Sequence, residues 1–208
     1  QKARGNYIAY AFDDNVWELD ALSATYDFME ENEVKASFGI AKALDPATGQ
    51  MVEFGHNGKQ AIDMLWASNQ IGAGAVMLHR EVLETVGLHD PHLSLTRVCD
   101  WDLWLRIIDK FDFIGKEIPF TTEYGATLSD SLGNAFKLDY WFFSERQQIR
   151  DEECLLPQNY DDCDVLGGIE CCSKEYFRYS CEYLEQYSNR YWYKDIYESC
   201  GGKKEYLS

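Results

Sequence analysis

The sequence predicts an α/β protein, and three observations carry that expectation. Short apolar runs of strand length alternate with segments of helical period, which is the pattern of a sheet flanked by helices. Turn residues punctuate the joints, as in Asp45-Pro46-Ala47-Thr48-Gly49. Carboxylates follow directly on the first apolar run, the place where open α/β sheets put ligand and metal chemistry.

Taken in order, Asn6 to Phe12 reads as an apolar strand ending abruptly in Asp13-Asp14-Asn15 before Val16-Trp17. Hard oxygen donors of this kind suit Mg²⁺ or Mn²⁺; a turn with Asx capping is the plainer account of the same residues. Leu22, Tyr26 and Met29 give the Leu22–Glu33 segment one apolar helical face. Ala36–Leu44 reads as a strand joined by the Asp45–Gly49 turn to Gln50–Phe54, and Phe54–Lys59, with His56, reads as loop. Gly72 and Gly74 precede the apolar run Ala75–Leu78, so the backbone there can approach a ligand or another strand closely. Val82, Leu83 and Val86 mark the buried face of a helix opening near Arg80, and Gly87 sits where that helix would stop. Arg80 either begins that helix or pairs with a substrate phosphate.

Cys99-Asp100-Trp101-Asp102 opens a second helix. Two carboxylates in a first turn satisfy free amides and favour the helix dipole, or one of them faces a cleft as a general base beside an aromatic wall. Phe111–Gly115 with Ile118-Pro119-Phe120 reads as an edge strand and a turn, and Thr121–Gly133 as a polar loop. From Asp139 onward aromatic residues, acids and cysteines dominate, and Tyr176, Tyr179, Tyr183, Tyr187 and Tyr191 recur at helical spacing as one face of rings. A division into residues 1–138 and a helical Tyr/Cys-rich extension at 139–208 follows.

Composition excludes some roles. A net charge of −17 argues against a nucleic-acid partner, because counterion release needs basic residues that are scarce here. No stretch reaches membrane-spanning length and no apolar signal segment opens the chain, so a cytoplasmic protein is expected. Seven cysteines without a C-x-x-C pair suit reduced thiols better than a zinc site.

The ordered set of motifs resembles a family 2 glycosyltransferase of GT-A fold. In that family a small-residue pair and strand, an R-x-V-L-x-x-V-G helix, a G-x-x-D turn and an E-D-W-D-L-W-L-R helix start recur in this order; here they correspond to Gly72–Leu78, Arg80–Gly87, Gly87–Asp90 and Cys99–Arg106. The segment YIAYAFDDNVWELDAL resembles the family's strand ending in D-x-D, with Phe12 at the first Asp, Asp13 in the middle and Asp14 at the metal-binding end. Cys99 stands where the family has Glu.

The resemblance implies a partial GT-A-like mixed sheet flanked by helices, and an inverting transfer of sugar from a nucleotide-diphosphate donor to a saccharide or other hydroxyl acceptor. Asp100 would be the base, Asp14 with Asp13 would hold Mg²⁺ or Mn²⁺, and Gly72, Gly74, Trp101, Asp102 and Arg80 would contact substrate. The family's base- and ribose-binding part precedes D-x-D, whereas only about a dozen residues do so here, so a fragment, a processed product or one half of a split enzyme is expected. The aromatic extension would then dock on the core, a twin chain or the missing N-terminal half. The competing expectations are a non-catalytic glycosyltransferase-like binding or assembly module and an unrelated acidic metal-binding protein.

Overall fold

A computed structural model describes residues 3–45, 48–89 and 98–124. The chain divides into two units, residues 1–87 with 103–129 and residues 88–102 with 130–208. All six described strands belong to the first unit and form a mixed sheet flanked by helices, an α/β arrangement.

Its strands are β1 (Tyr7–Ala9), β2 (Asn15–Trp17), β3 (Ala36–Leu44), β4 (Met51–Phe54), β5 (Val76–His79) and β6 (Phe113–Glu123), in the order β1-β5-β3-β6-β2, with β4 also on β3. Only β3 and β6 are parallel. β3 is the spine: β5 pairs along Ala36–Phe38 and β4 along Ala41–Leu44, while β6 runs along the other side. Its burial along Ala36–Ala41 is what a near-continuous apolar run between two covered faces requires.

Helix α1 (Ala21–Glu31) covers one face. Ala21 packs with Ala41, Ala75 and Phe120, and Met29 with Val34 and Met77. The buried line is Ala21, Thr25 and Met29, one residue round from the expected Leu22, Tyr26 and Met29; Leu22 and Tyr26 are 38% and 42% exposed. A small side chain at Ala21 lets the helix backbone close on the sheet, and the larger residues turn to the rim. Side chains alternate across a strand, so Tyr10, Phe38 and Phe113 face the opposite side, where the Trp104 ring of α4 (Cys99–Ile108) meets Phe113 at 5.6 Å and Tyr10 at 6.5 Å.

Two further expectations change. The segment 111–120 is not an edge: β6 lies between β3 and β2, and Pro119, which cannot donate to a ladder, sits where the register with β3 slips. The expected loop 54–59 runs into α2 (Gly58–Asp63), because Asn57, at φ 50°, accepts from the Gln60 amide and starts a helix. Helix α3 (Arg80–Val86) buries Val82, Leu83 and Val86 as its spacing predicts, and Gly87 at φ 81° ends it. Thr121–Glu123 complete β6; the remainder of the expected 121–133 loop beyond Tyr124 and the whole 139–208 extension, with the expected tyrosine face and six cysteines, lie outside the described residues. No helix among the described residues is long and apolar enough to cross a membrane.

Candidate functional site

β1 and β2 occupy opposite ends of the strand order, so the connection between them carries Asp13 and Asp14 past the intervening strands. A turn closes it, the Asn15 amide donating to the Phe12 carbonyl at 3.2 Å. The Asp14 carbonyl accepts the Tyr124 amide at 2.9 Å, and Glu18 donates its amide to Phe120 at 2.9 Å, which fastens the turn to the end of β6. Asp13 is exposed and Asp14 half-buried, so both carboxylates have access to water.

The Gly-Ala-Gly segment arrives at the same place. Ala73–Ala75 form a single 3-10 turn, with the Ala75 amide donating to Gly72 at 3.0 Å, just before β5. A Cβ at Gly72 would stand 2.6 Å from Ala41 Cβ, and a Cβ at Gly74 would overlap Asn15 Nδ2. Both glycines therefore serve close contact within the protein, the packing account of these residues. The structure thus brings together two of the stretches that the sequence singles out, the Asp13-Asp14-Asn15 turn and the Gly72–Gly74 turn. Asn15 itself, and Glu123, its register partner on the same face of the sheet, were not among the expected site residues. A single polar residue at a strand start has no periodicity to betray it.

Arg80 lies elsewhere. Its guanidinium donates to the Ala3 carbonyl at 2.7 Å and to Gly5 at 2.7 and 3.1 Å, and its amide donates to Asn6. It stands at the other end of β5 from Gly74. There it holds the chain leading into β1.

Asp100, Trp101 and Asp102 form the first turn of α4, in the second unit, while the helix continues into the first unit from Leu103. Asp100 and Trp101 are half-buried; Asp102 is 0% exposed. Only Asp100 of the two carboxylates keeps contact with solvent. Burial, and secondarily the charge of Asp100, pushes the Cys99 thiol up to about 12, so the neutral thiol is favoured at ordinary pH.

An open groove of about 450 Å³ lies between α1 and the β1 side of the sheet, lined by Tyr7, Ala9, Trp17, Leu22, Ser23, Tyr26 and Met77. The Tyr7 and Tyr26 rings meet edge to face at 5.0 Å, and the Tyr7 hydroxyl donates to Glu30. Among the described residues, no group of three or more His, Cys, Asp or Glu side chains is placed to hold a metal ion. Mg²⁺ usually binds through one or two carboxylates and lets substrate phosphates and water complete its shell. The Asp13–Asp14 pair offers that kind of donor set. No protein-family model matches the chain, and no curated protein matches it.

Proposed function

We propose that the chain is an inverting glycosyltransferase, or part of one, moving a sugar from a nucleotide-diphosphate donor to an acceptor hydroxyl. The observation that carries the reading is that Asn15, directly after Asp14, packs on Gly74, so that a stretch the resemblance gives to metal lies beside one it gives to substrate contact. Solvent contact at Asp100, and not at Asp102, supports the first as the base.

The chemistry asked of the residues is limited. Asp100 takes the proton of the acceptor hydroxyl as its oxygen bonds to the anomeric carbon, and the bond from that carbon to the diphosphate breaks on the opposite side. Asp14, helped by Asp13, would hold the divalent cation, which when bound neutralises charge on the leaving diphosphate. Trp101 would form a wall of the acceptor site.

The test is Asp100→Asn in the assembly that transfers sugar. The substitution keeps size but removes the proton acceptor, so turnover should fall by about 10²–10⁴ with donor binding and thermal stability nearly unchanged. Unaltered transfer would remove Asp100 from the chemistry. Metal-dependent binding of a nucleotide diphosphate without any transfer would instead make the chain a glycosyltransferase-like binding module.

A further inference from the structure

Of the chain's asparagines only Asn57 is followed by glycine. Two separate demands of the fold put that pair between β4 and α2. Residue 57 lies at φ 50°, in the left-handed region that asparagine tolerates better than most side chains. Residue 58 opens α2 against β6, where a Cβ would stand 2.5 Å from the Gly115 carbonyl oxygen, so glycine alone fits. Asn57 is exposed and its carboxamide is loosely held: the Gln60 amide reaches Oδ1 only at 3.5 Å, and Nδ2 donates to the Gln60 side chain at 3.2 Å. The Gly58 amide, at the first position of a helix, has no hydrogen-bond partner among the described residues.

We infer that Asn57 is a site of spontaneous deamidation, converted in the folded chain by attack of the Gly58 nitrogen. That nitrogen gives up its proton and bonds to Asn57 Cγ, while the Cγ–Nδ2 bond breaks and ammonia leaves with the proton. The missing Cβ at residue 58 leaves the nitrogen unobstructed for this ring closure. Water then opens the cyclic imide at either of its carbonyls. One opening gives an aspartate; the other gives an isoaspartate, in which the main chain runs through Cβ and Cγ and is longer by one atom. The two products act differently on the fold. The aspartate keeps the cap and adds negative charge at the start of α2, although the Glu117 carboxylate, which accepts the Asn57 amide at 2.8 Å, then has a second anion close by. The isoaspartate lengthens the chain where Gly58 and Gly115 leave no slack, and so loosens α2 from β6.

The experiment is a timed incubation of the whole chain in mildly alkaline buffer, followed by peptide mass spectrometry, with the free peptide spanning Gly55–Lys59 as the unfolded reference. The native peptide containing Asn57 should gain about 1 Da as amide becomes acid, and should split into two chromatographically separate products. Asn6, Asn15, Asn32 and Asn69, each followed by a bulkier residue, should keep their amides. Asn57→Gln, whose longer side chain closes such a ring poorly, should stop the change. Hydrogen exchange at Gly58–Asp63 should be faster in the isoaspartyl fraction than in Asn57→Asp, which reproduces the normal product. An Asn57 that is still an amide when the free peptide has fully converted overturns the inference, because the fold then protects the site. Conversion at Asn57 no faster than at the other four asparagines overturns it too, and identical exchange in the isoaspartyl fraction and Asn57→Asp would sink the loosening of α2.

Discussion

Asp100 and Asp102 look alike in the sequence, and their surroundings separate them. A buried carboxylate is tolerated only with partners, and removing it leaves those partners unsatisfied. Asp102→Ala should therefore cost about 2–4 kcal/mol in chemical denaturation, while Asp100→Ala should cost under about 1 kcal/mol. Equal costs would mean that burial does not distinguish the two. Cys99 next to them should resist iodoacetamide in the native state at pH 8, because a thiol pushed up to about 12 supplies almost no thiolate. Rapid native-state alkylation at that residue, found by peptide mass spectrometry, would contradict this. On the strand side, Asp14→Ala should abolish Mn²⁺-dependent binding of a nucleotide diphosphate more fully than Asp13→Ala, since the half-buried Asp14 is fastened to Tyr124 and Asp13 lies exposed. Calorimetry with and without Mn²⁺ distinguishes the two; identical losses would indicate a shared site.

At the scale of elements, β1 is a three-residue strand at the end of the order, and a strand that short depends on what ties it down. Arg80 supplies one tie through the Ala3 and Gly5 carbonyls, and Tyr7 supplies another through Glu30 on α1. The Glu30 bond, with a smaller contribution from burial, pushes the Tyr7 hydroxyl up to about 12. The sign follows: the protonated phenol is favoured by folding, so this contribution is complete below the ordinary tyrosine value near pH 10 and is lost as pH rises towards 12. Arg80→Ala should speed hydrogen exchange at Tyr7–Ala9 and leave α4 protected, whereas global loss of protection would mean the arginine supports the whole sheet. Tyr7→Phe should remove one phenol titrating near 12 from the difference absorbance at 295 nm. The elements also show where periodicity misleads. Leu22 and Tyr26 match a buried helical face in the sequence, yet close packing of Ala21 on Ala41 and Ala75 turns the helix by one residue. β6 reads as an edge strand because of Pro119, and becomes internal because a register slip accommodates the proline.

For the whole molecule the dominant fact is charge. With 36 acids against 19 basic residues the folded chain repels itself, and an expanded chain repels itself less. Raising NaCl from low to physiological concentration should therefore raise the thermal midpoint by a few degrees, on the order of 1 kcal/mol for a chain of this size. A flat or falling midpoint would show that local ion pairs such as Lys42–Glu53 outweigh the global field.

The sequence by itself determined the class and several of the elements: an α/β chain, the strand at Ala36–Leu44, the helix at Arg80–Val86 with its Gly87 stop, and the start of α4 at Cys99. Each of these is local, set by side-chain period, turn chemistry and caps, which a linear string records. Tertiary structure alone decided that Gly74 meets Asn15, that Arg80 faces the Ala3 and Gly5 carbonyls, and that Asp102 is buried while Asp100 is not. Those facts depend on strand order and on which segment crosses which. Residues 15 and 74 are brought together by the β1–β2 connection passing the start of β5, and no pattern along the chain encodes that crossing.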